Sequence, residues 1–203
     1  MKQAFISMLD LQDKMNSKVH PHWQQQGYQW YRAIWTECAE LMDHHGWKWW
    51  KKQTPDTHQI QLEIVDIWHF GMSILLSSGT SHEELATQLE SQWQSATTTE
   101  DFLKAVEALA AHTLTNKDFS IPLFCQLMEL SGFSFVQLYQ QYIGKNVLNF
   151  FRQDHGYKEG TCHKIWHGKE DNEHLADILT NLGMDCADLQ GSVYAELEAL
   201  YPK

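Results

Sequence analysis

Two pairs of carboxylates stand out because of the residues around them. Glu37 lies on the stripe Trp30, Ala33, Ile34, Glu37 and Leu41, which is otherwise apolar, and Glu40 sits one turn on beside it. Glu63 interrupts Ile60, Ile64 and Ile67 in the same way, and Asp66 shares its face with Leu62 and Phe70. Acidic pairs at this spacing recur elsewhere (Asp10/Asp13, Glu170/Glu173, Asp185/Asp188), so spacing alone proves nothing. Company is what sets these two apart. An ionised carboxylate buried without a partner is strongly unfavourable, so something cationic is required. A Lys or Arg from a neighbouring helix would give a structural ion-pair network. The alternative is one or more divalent cations, and hard oxygen ligands favour Mg²⁺ or Mn²⁺ over zinc. No Lys or Arg occurs between Gln53 and Thr80, which favours the metal.

A second feature lies near the other end of the chain. From Arg152 to Asn172 the sequence reads RQDHGYKEGTCHKIWHGKEDN, with Gly156, Gly160 and Gly168 interrupting any helix. Between Lys145 and Lys169 there are five basic residues (145, 152, 158, 164, 169) and two acids (Asp154, Glu159), a local excess of +3 in a chain of net charge −11. Long loops inside compact domains tend to be functional or disordered, and this composition points to function. An acidic metal cluster beside a basic, glycine-interrupted loop is the chemistry of phosphoanhydride hydrolysis: cations activate water and bridge phosphates, while Lys and Arg offset leaving-group charge.

Helices must position these groups. Apolar residues recur at three- and four-residue steps, beginning with Phe5, Met8, Leu9 and Met15 and continuing from Gln29 to His45. His58 to Ser78 reads as a long buried helix ending near Gly79. Ser81 and Glu84 then form a capping-box pattern. Further helices are expected at 100–113, 119–131, 134–151, 171–182 and 186–200. Period-two runs are missing, so the expected class is all-α, a single helical-bundle domain over 1–203 with 152–172 as a phosphate-binding loop.

Composition bounds the rest. With 43% hydrophobic and 12% aromatic residues, a packed core is expected. Excess negative charge argues against a broad nucleic-acid or anionic-membrane surface. No run approaches the ~18 apolar residues of a membrane helix, and the N-terminus does not read as a secretory signal. Cys38, Cys125, Cys162 and Cys186 show no zinc spacing, and in this context they are expected to be reduced. The location expected is cytoplasmic.

Specific segments resemble the dimeric all-α dUTPase family. Thr36-Glu37-Cys38-Ala39-Glu40-Leu41 followed by Trp47-Lys48-Trp49-Trp50-Lys51 is similar to it, as is Glu63-Ile64-Val65-Asp66-Ile67-Trp68-His69-Phe70. The most specific stretch runs from Tyr142-Ile143-Gly144-Lys145-Asn146-Val147-Leu148-Asn149 through Phe151-Arg152-Gln153, Gly156-Tyr157-Lys158, Gly160, Lys164 and Trp166 to Gly168-Lys169-Glu170-Asp171-Asn172. The acidic motif alone is shared with the wider superfamily of all-α nucleotide pyrophosphatases, and the later signature narrows it to dUTPase.

The resemblance implies hydrolysis of dUTP, and of dUDP, by a homodimer whose active sites lie close to the subunit interface. Glu37, Glu40, Glu63 and Asp66 would hold Mg²⁺, with Glu40 orienting the hydrolytic water and Glu37 also assigned to the catalytic centre. Lys145, Arg152, Lys158 and Lys164 would contact phosphates, Arg152 through its fork. Asn149, Asn146 and Asn172 would order water or sugar, and Trp47 belongs with the base and sugar contacts. Gln12 and Asn16, in Leu11-Gln12-Asp13-Lys14-Met15-Asn16, match the family's base-proximal amides. Independently of the family, these two share a helix face, and a carboxamide supplies the donor and acceptor that uracil O4 and N3–H need. Thymine would be excluded by packing against Trp47, Trp50, Trp68 or Phe70. One departure is visible: Cys162 stands where the family often has an aromatic. A broader nucleotide pyrophosphatase acting on dCTP or modified nucleotides, and an inactive helical scaffold, are the competing readings.

Overall fold

The computed structural model describes residues 1–93, 101–183 and 186–202. Asp185 and the first residue of the helix expected at 100–113 lie outside the described residues. Nine α-helices occur among the described residues: α1 (Lys2–Val19), α2 (Trp30–His45), α3 (Thr57–Leu76), α4 (His82–Trp93), α5 (Phe102–Asn116), α6 (Ile121–Ser131), α7 (Phe135–Asp154), α8 (Asp171–Leu182) and α9 (Leu189–Leu200). The class is all-α, as the periodicity requires.

Local signals set several helix starts. Ser81 and Glu84 exchange backbone-to-side-chain hydrogen bonds, each 3.3 Å, ahead of α4. Ser134 and Gln137 do the same at α7, and Asp56 accepts from the Gln59 backbone N–H at α3. Central helix α3 is packed on most of its circumference, against α1, α2 and α7 among others. Trp68, fully buried on α3, anchors an aromatic core with Phe5, Trp93, Phe119 and Phe124.

Helix α7 joins two cores. Its first half, through Leu138, Tyr142 and Ile143, belongs to the main core. Its second half, through Val147, Leu148 and Phe151, packs with Trp166, Leu175, Ile178, Val193 and Leu197 in a smaller C-terminal core. Gly144 allows the close approach of α8, since a Cβ there would meet Leu179 Cδ1 at 2.8 Å. Lys145 and Asn146 therefore sit where the two cores meet, and Asn149 and Arg152 follow on the half of α7 that carries the smaller core.

The glycine-interrupted loop is shorter than expected. Helix α7 continues through Asp154, so Arg152 lies in its last turn, and Asp171 and Asn172 already open α8. An unexpected hairpin lies between, with β1 (Ile165–Trp166) antiparallel to β2 (Lys169–Glu170). His167 and Gly168 turn it, both at positive φ, 51° and 77°, as a type I′ hairpin turn demands. All four cysteines are free. Among the described residues no single helix is long and apolar enough to cross a membrane.

Candidate active site

Helices α2 and α3 lie alongside one another and bring three carboxylates together. Glu37, Glu63 and Asp66 each offer an oxygen within 4.8 Å of the others. Glu63 is buried, and Glu37 and Asp66 are half-buried. Glu40 is exposed and stands outside this trio, without a hydrogen bond or ion pair among the described residues, although its charge acts on both glutamates.

These groups repel one another. Glu37 is pushed up to about 8, first by burial, then by the charge of Asp66 and by its hydrogen bond to Glu63. Burial also raises Glu63, against the opposing effect of the bond from Glu37. Between them, the coupled Glu37–Glu63 pair thus retains a proton at neutral pH. Lys145 Nζ reaches Asp66 Oδ2 at 3.0 Å, and His44 Nε2 lies 3.4 Å from Glu63 Oε1. The ion-pair solution is therefore realised at Asp66 by a lysine from α7, which no local window around α3 could show. Glu37 has no cationic partner among the described residues. Oxygen-only donors, close-set and short of positive charge, suit a hard divalent cation.

The end of α7 and the start of α8 carry the basic side. Arg152 donates from Nε and Nη2 to Asp171, both at 2.7 Å, and from Nη1 to Asn149 Oδ1 at 3.1 Å. The fork expected to grip phosphate is thus filled by Asp171, leaving the outer N–H of each terminal nitrogen. Asp171 is free for this because Glu170 and Glu173 cap α8 in its place. Asn172 Oδ1 accepts from Lys145 Nζ at 3.3 Å. Asp171 N–H donates to the Lys164 carbonyl at 2.8 Å, so the hairpin folds the Lys164 backbone back beside the Arg152–Asp171 pair. The Lys158 and Lys164 side chains are exposed, with Lys164 Nζ 5.1 Å from the Tyr157 ring centre. A groove of about 740 Å³ between α3, α7 and α8 opens beside Lys145 and Asn172.

Gln12 and Asn16 face inward, into a buried polar cluster. Gln12 Nε2 donates to Asn16 Oδ1 at 3.0 Å and to Ser73 Oγ at 3.1 Å. Its Oε1 is 2.8 Å from His69 Nδ1 and 3.0 Å from the Tyr142 hydroxyl. Asn16 Nδ2 donates to Ser73 Oγ at 3.0 Å. Burial lowers His69 to about 3, so its ring is neutral. His69 Nε2 and Asn146 Oδ1 are buried without a partner among the described residues. Sequence reasoning did not single out Ser73, and Tyr142 entered it only as the first residue of the dUTPase-like stretch, with no role assigned. The available signal was the four-residue step from His69 to Ser73, which repeats that from Gln12 to Asn16.

Aromatic expectations fare unevenly. Trp68 is committed to the core and is no candidate for a base wall. Trp47 is exposed, donates from Nε1 to Asp43 at 2.7 Å and meets Trp50 edge-on, with no hydrogen bond to Gln12 or Asn16 among the described residues. Phe70 is half-buried and stacked on Trp30.

Fold and site define an all-α protein with clustered carboxylates facing a cationic helix end. A family model described as dUTPase matches residues 4–157, and the chain belongs to that family, the dimeric all-α dUTPases. It is accordingly a dUTP diphosphatase. No curated protein matches the chain.

Proposed function

We propose that the enzyme hydrolyses dUTP to dUMP and pyrophosphate with Mg²⁺ or Mn²⁺ held by Glu37, Glu40, Glu63 and Asp66, and that it takes dUDP as well, releasing phosphate. The observation that carries this reading is the carboxylate trio, in which Glu37 has no cationic partner among the described residues. When bound, the cation neutralises phosphate oxygens and makes water acidic enough to attack at neutral pH.

The chain's own residues supply the rest. Glu40, exposed and unpartnered, accepts a proton from the attacking water. The water oxygen bonds to the α-phosphorus as the bond from that phosphorus to the bridging oxygen breaks, and pyrophosphate leaves. Lys145, the outer edge of Arg152, Lys158 and Lys164 offset the charge on the leaving group. Asn149 and Asn172, already bound to Arg152 and Lys145, hold those cations in place and meet sugar or water. Trp47 and Phe70 are candidates for the base wall, Trp47 by movement of its exposed segment. The amide cluster at Gln12 and Asn16 receives uracil.

Metal-depleted enzyme titrated with Mg²⁺ or Mn²⁺, with dUTP and dUDP turnover followed for wild type and Glu63→Gln, tests this. Recovery in wild type but not in the variant supports the reading, and turnover that persists in EDTA overturns it. By the resemblance the active form is a homodimer. A fully active monomer in light scattering at micromolar concentration would contradict that part.

A further inference from the structure

The loop that follows α7 carries two of the expected phosphate contacts, Lys158 and Lys164, and its first part is held only locally. Tyr157 N–H donates to the Arg152 carbonyl at 2.9 Å and Gly160 N–H to the Tyr157 carbonyl at 3.1 Å. The N–H groups of Thr161 and Cys162 both point back to the Gly156 carbonyl, at 3.0 and 3.3 Å. These bonds close the segment on itself without setting its direction. Past Cys162 the anchor is distant in sequence: His163 N–H donates to the Tyr201 hydroxyl at 2.9 Å, across 38 positions. That hydroxyl also lies 4.0 Å from Cys162 Sγ.

Tyr201 is itself firmly seated. It ends α9, and its half-buried ring meets Phe151 and Trp166 edge-on, each at 5.1 Å between ring centres, and His155 at 4.6 Å. His155 immediately precedes Gly156, and Trp166 follows Lys164 by two residues. One ring therefore spans the entry and the exit of the loop. The neighbouring Leu200 carbonyl, which can only accept, receives a hydrogen bond from His167 Nε2 at 3.0 Å, so the hairpin turn is tied to the same helix end.

Lys164 is thereby held on both sides. The residue before it is bound through its N–H to Tyr201, and its own carbonyl accepts from the N–H of Asp171, the partner of Arg152. Peptide planes are rigid, so anchors on either side of one Cα restrict the directions its side chain can take. A lysine so placed loses less freedom when it meets an anion. We infer that Tyr201 is a positioning residue that directs Lys164 toward the leaving phosphates. This rests on the reading that Lys164 contacts phosphate.

The test is kcat/KM for dUTP in wild type, Tyr201→Phe, Lys164→Met and the double variant. Phenylalanine keeps the ring between Phe151, His155 and Trp166 and removes the acceptor of the His163 N–H. Tyr201→Phe is expected to lower kcat/KM about three- to tenfold in the wild-type background and to have no further effect in the Lys164→Met background. A residue that merely stabilised the fold would give the same loss in both. Equal losses with and without Lys164, or an unchanged kcat/KM in Tyr201→Phe, overturn the inference. An unchanged kcat/KM in Lys164→Met would instead remove that lysine from phosphate binding, and the positioning role with it.

Discussion

Lys145 Nζ stands 3.0 Å from Asp66 Oδ2, joining α7 to α3 across 79 positions of sequence. A cation that holds the acidic cluster together before substrate arrives is also the one expected to contact phosphate. A divalent ion taking over Asp66 would release the ammonium toward the groove it already borders. On the proposed function, structural pairing and substrate binding would be successive uses of one side chain.

That exchange makes a separable prediction for Lys145→Met. Turnover should fall by about 10²–10³-fold in kcat/KM. Mn²⁺ affinity, read by calorimetry, should equal or exceed that of wild type, because a competitor for Asp66 is gone. Weaker Mn²⁺ binding would contradict the exchange.

Glu37 gives the pH dependence. Its ordinary value is 4.5, and in the fold it is pushed up to about 8, chiefly by burial and then by Asp66. Between those values the folded, metal-free protein keeps a proton that the unfolded chain has released. This group's stabilisation is therefore fully present below about 4.5 and lost as pH rises to about 8. In EDTA the melting temperature should drop between about pH 6 and about pH 8.5, less so in Glu37→Gln, and Mg²⁺ should restore it at the higher pH. An identical pH dependence in Glu37→Gln would refute the assignment.

Breaking the Arg152–Asp171 pair should be costly. Asp171 is 1% exposed and accepts both bonds of the guanidinium fork. Removing one partner of a buried pair typically destabilises by about 3–5 kcal/mol. Arg152→Lys should lose much of this despite keeping its charge, because an ammonium cannot reproduce the fork. Denaturant unfolding that shows no loss in either Arg152→Lys or Asp171→Asn would show the pair to be incidental.

Glu40 separates chemistry from folding. Exposed and unpartnered, its replacement by Gln should leave the melting temperature unchanged while lowering kcat by at least about 10²-fold. Near-wild-type turnover would take Glu40 out of the proton-transfer role.

Much of this was legible because burial contradicts residue type. Glu37 and Glu63 interrupt apolar stripes at helical spacing, and the structure brings them together with Asp66. Lys145 could not be assigned to Asp66 from sequence, since the contact depends on how α7 crosses α3. Ser73 was silent because a small hydroxyl residue in a helix fits the core as readily as a hydrogen-bond hub. Arg152 was placed in a loop because Gly156 marks the helix end, yet α7 runs two residues past Arg152 and the helix turn aims the guanidinium at Asp171. The hairpin around His167 and Gly168 escaped because two-residue strands leave no alternating pattern.

The central claim is metal-dependent hydrolysis selective for deoxyuridine triphosphate. Pyrophosphate release from dUTP, dCTP, dTTP and UTP, each with Mg²⁺ and with EDTA, tests it most directly. The account predicts release that needs Mg²⁺ and strongly favours dUTP. Release in EDTA, or at equal rates across the four nucleotides, would contradict it.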